Sequence, residues 1–204
     1  TADGSVLNQF LNPNNEDRFY DAEFSPDGEL IALAGNGDIY ISNVSSGATV
    51  YTITSPPESV NALSWSPDGN YIAMCGGWEG GGASFDMYKF VSNSWSRLWE
   101  KGTSTSCAST DFSHDISQVV AGMYWYGADG NTAKVYQTDS GAFVDSFRGP
   151  QDSSGCTSGG NNYGGCGEIL GIAWSPDNTH IVSAHSRGDE GVYYWFADID
   201  EDND

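Results

Sequence analysis

The segment Phe24-Ser25-Pro26-Asp27-Gly28 recurs in related form three more times and is the feature that sets the fold. The copies start 41, 47 and 62 residues apart, and in each an aromatic residue precedes Ser, with Asp two positions after the Ser. Pro presets φ and Gly or Asn accepts a left-handed backbone, so the segment predicts a tight turn after a strand. A period just above forty residues indicates a repeat architecture, and a unit of four strands fits it. The other copies are Trp65-Ser66-Pro67-Asp68-Gly69, Phe112-Ser113-His114-Asp115-Ile116 and Trp174-Ser175-Pro176-Asp177-Asn178.

Short apolar runs follow every turn. The first, Leu30-Ile31-Ala32-Leu33-Ala34, has no helical periodicity and predicts a buried strand. A third segment of each unit is rich in aromatic residues, as in Val192-Tyr193-Tyr194-Trp195, and three units add a further apolar segment, such as residues 142–147. No amphipathic helical pattern occurs. The sequence therefore predicts an all-β fold built from four-stranded units.

This order of elements resembles the WD-repeat β-propeller family, and the turn is also similar to bacterial and archaeal surface propeller repeats. The resemblance covers essentially the whole chain and implies a propeller of four four-stranded blades, forming one domain of residues 1–204. Two family features are missing. No Gly-His pair precedes the inner strands, and the Trp-Asp positions hold Ser42-Asn43 and Tyr136-Gln137, so the family's internal hydrogen-bond network is not expected. The blades are expected over residues 20–53, 60–100, 106–147 and 168–196.

The fourth unit has only three strands, and the start of the chain carries the pattern of the missing one. Residues 4–10 copy residues 47–53 and 141–147, with Gly and an apolar residue six positions apart each time. We therefore predict that residues 5–10 pair with residues 192–196 as the outer strand of the last blade. Pairing within one molecule would close a small ring, whereas pairing between copies would build a larger ring or a filament. We favour the assembly.

The four cysteines permit two disulfides. Cys156 and Cys166 lie in residues 149–167, a stretch rich in Gly, Ser and Asn, and we expect a disulfide to staple this loop insertion. A metal site is the rival interpretation, but no His or further Cys lies nearby to complete it. In a propeller, Cys75 and Cys107 fall on the same rim of neighbouring blades. A second disulfide is predicted there, with two buried free thiols as the alternative.

The charge balance excludes several partners. Seven basic and 28 acidic residues give a net charge of −21, which repels phosphate backbones and anionic lipid surfaces. No apolar stretch is long enough to span a membrane. A surface poor in Lys, together with cysteines that can pair, predicts a secreted, extracellular protein, while a halophilic cytoplasm would also explain the acidity. Because the sequence begins at Thr1, we expect a processed product or a segment of something longer.

Loops expected on one face of the propeller combine aromatic and acidic residues. They would form a contact surface for sugars, by stacking and hydrogen bonding, or for another protein. The structural alternative is that these aromatic side chains cover blade edges. The candidate binding residues are Trp78, Glu79, Tyr124, Trp125, Tyr126, Asp129 and Tyr163.

Three short motifs are weaker indications of function. The alternating acids Asp198, Asp200, Asp202 and Asp204 suit the oxygen-rich loops that hold Ca²⁺, but no closing Glu follows, so a solvated acidic tail is preferred. Asn43 begins a glycosylation sequon with Val44 and Ser45. The tripeptide at 187–189 matches the integrin-binding sequence Arg-Gly-Asp, and an ordinary turn is the better interpretation.

No catalytic constellation emerges from the sequence. The three His residues are scattered, and acid pairs occur on every face of so acidic a chain, so none is distinctive. The first hypothesis is therefore a non-catalytic extracellular structural or adhesive module that binds copies of itself or another extracellular protein, without a cofactor. The alternative is a lectin-like propeller that binds glycans through the aromatic loops. A hydrolase or dehydrogenase of propeller fold is the least favoured.

Overall fold

The computed structural model describes residues 4–11, 18–35, 37–54, 59–78, 81–103, 106–123, 132–148, 168–186 and 191–197. These residues form fifteen β-strands in four antiparallel sheets, and none of them is helical. Accordingly, this part of the chain has no helix long and apolar enough to cross a membrane. The all-β fold class with four blades is confirmed.

Each sheet is one blade, and its strands follow one another in chain order. The first strand of each blade is the inner one, because these strands contact one another from blade to blade. Blade 4 has three strands where the other blades have four. Blade 1 consists of β1 (Asp21–Phe24), β2 (Leu30–Ala34), β3 (Asp38–Asn43) and β4 (Thr49–Thr54); blade 2 of β5 (Val60–Trp65), β6 (Tyr71–Trp78), β7 (Gly81–Val91) and β8 (Ser94–Gly102); blade 3 of β9 (Cys107–Phe112), β10 (Gln118–Met123), β11 (Thr132–Gln137) and β12 (Phe143–Arg148); and blade 4 of β13 (Glu168–Trp174), β14 (His180–Ser186) and β15 (Gly191–Phe196).

The recurring Ser-x-Asp turn joins the first two strands of every blade. In blade 2, Ser66 Oγ donates to Asp68 Oδ1 at 2.6 Å and accepts from the Tyr71 N–H at 2.9 Å. In blade 4, the equivalent hydrogen bonds from Ser175 and Thr179 lower the pKa of Asp177 to about 2. The residue after the Asp has the expected left-handed backbone in all four turns. Its φ is 72° at Gly28, 75° at Gly69, 68° at Ile116 and 62° at Asn178.

Replacing Ser66 by alanine should lower the free energy of unfolding by about 1–2 kcal/mol, because the Tyr71 N–H loses its acceptor in a buried turn. Ser175→Ala is the matched control. It removes the same bonds from a more exposed turn of blade 4, where water can replace them. Urea unfolding of both variants checks the difference, and equal losses would contradict it.

Apolar clusters fill the three seams, as we call the interfaces between neighbouring blades. In the first seam, Ile39 and Ile41 of blade 1 pack with Ile72 and Met74 of blade 2, and all four are fully buried. Both faces of blades 2 and 3 are therefore covered by their neighbours. The other seams are filled by Phe85, Met87, Val119 and Met123 between blades 2 and 3, and by Val135, Ile169, Trp174 and Ile181 between blades 3 and 4.

The blades form an open arc. The inner strands contact one another in the order β1, β5, β9 and β13. Over the residues that the structure describes, β13 makes no contact of comparable extent with β1. Blades 1 and 4 are thus the two ends of the arc, and each has one face that no other blade of the chain covers.

The N-terminal segment, residues 4–11, does not complete blade 4. It has no strand structure, and it lies against blade 1, where Phe10 packs on the cluster of Ile31, Leu33 and Tyr40. Asn8 Nδ2 donates to the Val44 carbonyl at 3.1 Å. The prediction that residues 5–10 pair with residues 192–196 is therefore wrong within a single chain. The physical reason is distance, because β15 lies at the opposite end of an arc that does not close.

Candidate interaction surface

Two carboxylates on β1 hold blade 2 against blade 1. Asp21 Oδ2 accepts from the Leu63 N–H at 2.9 Å, and Glu23 Oε2 accepts from the Trp65 N–H at 2.7 Å. Burial raises the pKa of Glu23 to about 7, partly offset by the hydrogen bond from Trp65, and the nearby Asp111 and Asp21 add to the increase. These acids act across the seam on backbone groups of the next inner strand.

The seam between blades 3 and 4 repeats this arrangement. Ser109 Oγ accepts from the Ile172 N–H at 2.8 Å, and Asp111 Oδ2 accepts from the Trp174 N–H at 2.7 Å. Burial raises the pKa of Asp111. The sequence analysis missed these residues, although a signal was present. In the first and third copies, an acid stands directly before the aromatic residue of the turn.

The middle seam uses a disulfide. β5 carries Ala62 and Ser64 at the positions of Asp21 and Glu23, so this seam has no carboxylate of that kind. Here the predicted disulfide between Cys75 on β6 and Cys107 on β9 is present, with their Cα atoms 5.2 Å apart. The bond connects blade 2 to blade 3, and both residues are fully buried.

The end face of blade 4 exposes residues of a kind that the other blades bury. In the strand register, Tyr194 corresponds to Ile41, Met87 and Val135, which are at most 2% exposed, whereas Tyr194 is 65% exposed. Val192 corresponds to Ile39, Phe85 and Ala133 and is 69% exposed, against at most 1% for those three. The outer edge of β15 also has no neighbouring strand among the described residues. We define the blade 4 end face as Ala173, Val182, Ala184, Val192, Tyr194 and Phe196.

The end face of blade 1 shows the complementary exposure. The aromatic residue that precedes each turn packs against the previous blade as Trp65, Phe112 and Trp174, which are at most 8% exposed. Phe24 holds that position in blade 1 and is 57% exposed. The rest of this face is covered by Phe10 and Phe19, not by a blade. We define the blade 1 end face as Phe24, Ile31, Leu33 and Tyr40.

A polar cavity of about 250 Å³ lies where the four inner strands converge. Its lining includes Tyr20, Asn61 and Leu170, together with Asp21 and Ser109. The last two already accept inter-blade hydrogen bonds, and Asn61 Nδ2 donates to the carbonyls of neighbouring strands. Asp21, Ser109 and Asn61 therefore hold neighbouring inner strands together at this cavity.

Most of the sequence-predicted binding residues lie outside the described residues. Trp78 ends β6, and the structure describes only its backbone. The grouping of the aromatic loops into one surface, the Cys156–Cys166 disulfide and the Ca²⁺ site all stay predictions. The residues outside the description are Glu79, Tyr124, Trp125, Tyr126, Asp129, Cys156, Tyr163, Cys166, Arg187, Gly188, Asp189, Asp198, Asp200, Asp202 and Asp204.

Asn43, the sequon residue, lies at the end of β3. Its Oδ1 accepts from the Ser45 hydroxyl at 2.7 Å and from the Ser46 N–H at 3.0 Å, so the side chain holds the turn into β4. As for metals, no cluster of three or more His, Cys, Asp or Glu residues is placed to hold an ion within the described ranges.

Comparisons with known proteins agree with this architecture. Residues 47–81 and 156–195 match the family model described as WD40: WD domain, G-beta repeat. No curated protein sequence matches the chain. Among solved structures, the chain is similar to the Myceliophteria thermophila Cps50 (Swd1) β-propeller domain, with a TM-score of 0.68 and 10% identity. The match covers 90% of this chain and 55% of that one, so this chain spans about half the length of the structure it matches.

Four sequential blades around common inner strands define the class as a β-propeller. Because residues 47–81 and 156–195 also match the WD40 model, the repeats of this propeller are WD-like. Propellers of this family are generally non-catalytic scaffolds.

Proposed function

We propose that this protein is a non-catalytic, extracellular interaction module that associates with further copies of itself through the blade 4 end face. The observation that carries the proposal is the exposure of Val192, Tyr194 and Phe196, at 69%, 65% and 72%, in a blade whose counterparts are stacked. An exposed surface of apolar and aromatic side chains is typical of an interaction site, and here the His180 ring stacks on Tyr194. This face also resembles the blade faces that form the three seams inside the chain.

The energetics favour association over solvation of this face. Burying a large apolar side chain is worth about 1.5–3 kcal/mol, and three such side chains stand on one strand. The outer edge of β15, which has no neighbouring strand in the part of the chain that the structure describes, offers backbone groups to an added strand. Opposing this, the net charge of −21 repels identical copies, so association should strengthen as salt rises.

Three features support an extracellular location, the absence of nucleic-acid partners and a non-catalytic role. The Cys75–Cys107 disulfide is typical of an oxidising compartment. The excess of acidic residues disfavours phosphate-rich partners. The family is generally non-catalytic, and the hydrogen bonds around the central cavity are structural.

Sedimentation of the purified chain tests the proposal. We expect concentration-dependent association at about 100 µM protein or below, and Tyr194→Arg should weaken it roughly tenfold or more by placing a charge in an apolar interface. The matched control is Phe143→Arg, which changes an exposed aromatic residue on β12, away from the end faces. A wild-type protein that stays monomeric, or equal effects of both substitutions, would contradict the proposal.

A further inference from the structure

We infer that the blade 4 end face binds the blade 1 end face of a second copy, so that two chains close one eight-bladed ring and exchange their N-terminal segments. This inference rests on the proposed function and specifies its partner. Tyr194 is exposed at one end of the arc and Phe24 at the other, and the two surfaces would pack against each other.

The two end faces are the two halves of a seam. Every internal seam joins the face that contains the Tyr194 position of one blade to the face that contains the Phe24 position of the next blade. In the third seam, for example, Val135 packs with Trp174, and both are buried. Tyr194 and Phe24 hold the corresponding positions, but among the described residues of one chain no neighbouring blade packs on either of them. Docking one end face on the other would build a fourth seam of the same kind.

The N-terminal segment covers the blade 1 end face but leaves most of its own apolar side chains exposed. Phe10 packs on the face, together with Phe19, and Asn8 bonds to the Val44 carbonyl. The other apolar side chains of the segment, Val6, Leu7 and Leu11, are 84%, 80% and 71% exposed. A cover that buries so little of its own apolar surface gives up little on displacement, whereas a docked blade would bury a whole sheet face.

The order of the strands along the chain also favours this pairing. Each outer strand, β4, β8 or β12, is followed along the chain by the inner strand of the next blade. Residues before β1 therefore occupy the chain position of the outer strand of a preceding blade. When a second copy supplies that blade, its outermost strand is β15, which has no fourth strand beside it among the described residues. Residues 4–10 also carry the Gly-to-apolar spacing of the outer-strand segments 47–53 and 141–147, so the displaced segment has both the position and the pattern to pair with β15 of the partner copy.

The size of the arc agrees with closure by two copies. The four blades match 55% of the Cps50 (Swd1) propeller domain, so these four blades correspond to about half of such a ring. Two chains provide eight blades, within the range in which propellers close. A contact between unlike faces that closes after two copies gives a twofold ring, whereas one that fails to close would give a filament.

Complementation between two variants tests the pairing of unlike faces. Tyr194→Arg damages the blade 4 end face, and Phe24→Glu damages the blade 1 end face, so each variant alone should sediment as a monomer. An equimolar mixture retains one intact seam, formed by blade 4 of the Phe24→Glu chain and blade 1 of the Tyr194→Arg chain. We expect heterodimers in the mixture only. Urea unfolding of each monomer shows whether it keeps the fold, and Phe24→Leu, which preserves the apolar character, should still dimerise.

The outcomes separate the two proposals. Dissociation by Tyr194→Arg without any effect of Phe24→Glu, or no recovery in the mixture, would overturn the ring and leave the association through blade 4 intact. A monomeric wild-type protein would overturn both. For the strand exchange, the amide hydrogen exchange of residues 5–10 should slow roughly tenfold or more on dimerisation, because an added strand protects its N–H groups. Unchanged or faster exchange would overturn it.

Discussion

Replacing Cys75 and Cys107 together by alanine should lower the free energy of unfolding by about 3–4 kcal/mol. The disulfide joins residues 32 positions apart, and removing it restores conformational freedom to the unfolded chain. The loss falls on the middle seam, where β5 has Ala62 and Ser64 in place of the carboxylates Asp21 and Glu23. Blades 2 and 3 should therefore separate first, and hydrogen exchange should increase at β6 and β9.

Urea unfolding with and without reductant provides the measurement and its control. The wild-type protein in strong reductant should approach the stability of the double alanine variant, and the variant should be insensitive to reductant. The single variants Cys75→Ala and Cys107→Ala should resemble the double variant, because either one removes the bond. A double variant within about 1 kcal/mol of the oxidised wild type would show that blade packing alone holds this seam.

The turns are the part of the fold that the sequence could predict. Ser66 and Asp68 satisfy backbone groups only a few residues away, so the information is local and repeats wherever the motif repeats. The left-handed position was expected for Gly or Asn, and Gly28, Gly69 and Asn178 have it. Ile116 adopts the same φ without either residue type. Its side chain packs against the core between blades 2 and 3, so burial offsets the backbone strain at that position.

The N-terminal segment shows a limit of structure prediction from sequence patterns. Residues 4–10 have the spacing of an outer strand, but a strand needs a neighbouring edge, and the edge of β15 lies at the other end of the arc. A pattern records what a segment can pair with and contains no information on how far around the ring the chain reaches. In one chain, Phe10 instead covers the nearest apolar face, which belongs to blade 1.

The inter-blade carboxylates were missed for a different reason. In a chain with 28 acidic residues, Glu23 and Asp111 do not differ by type from acids on the surface. Their distinction is positional, since each directly precedes the aromatic residue of a turn on an inner strand. That position points the side chain towards the next blade, where the N–H groups of Trp65 and Trp174 need acceptors. The arrangement becomes visible only when two copies of the repeat are placed side by side.

The position of Glu23 has a measurable consequence for the pH dependence of stability. Burial raises the pKa of Glu23 from its ordinary value of 4.5 to about 7 in the folded state, so between these two values the folded chain binds more protons than the unfolded chain. The contribution of Glu23 to the free energy of unfolding should therefore be largest below pH 4.5 and fall as the pH rises to about 7. Given its partial exposure, we expect a decrease of about 2 kcal/mol.

Glu23→Gln isolates this contribution, because the amide oxygen can still accept from the Trp65 N–H while the side chain no longer titrates. Burial lowers the pKa of His185, and the turn residue Asp177 has a pKa of about 2. Their contributions to the free energy of unfolding therefore fall on acidification, but they fall equally in both proteins. The difference between wild type and variant, measured by urea unfolding from pH 4.5 to pH 8, should thus change by about 2 kcal/mol in favour of the variant as the pH rises. Parallel curves would mean that Glu23 ionises in the folded chain at its ordinary pKa, and the first seam would then hold a charged carboxylate over most of that range.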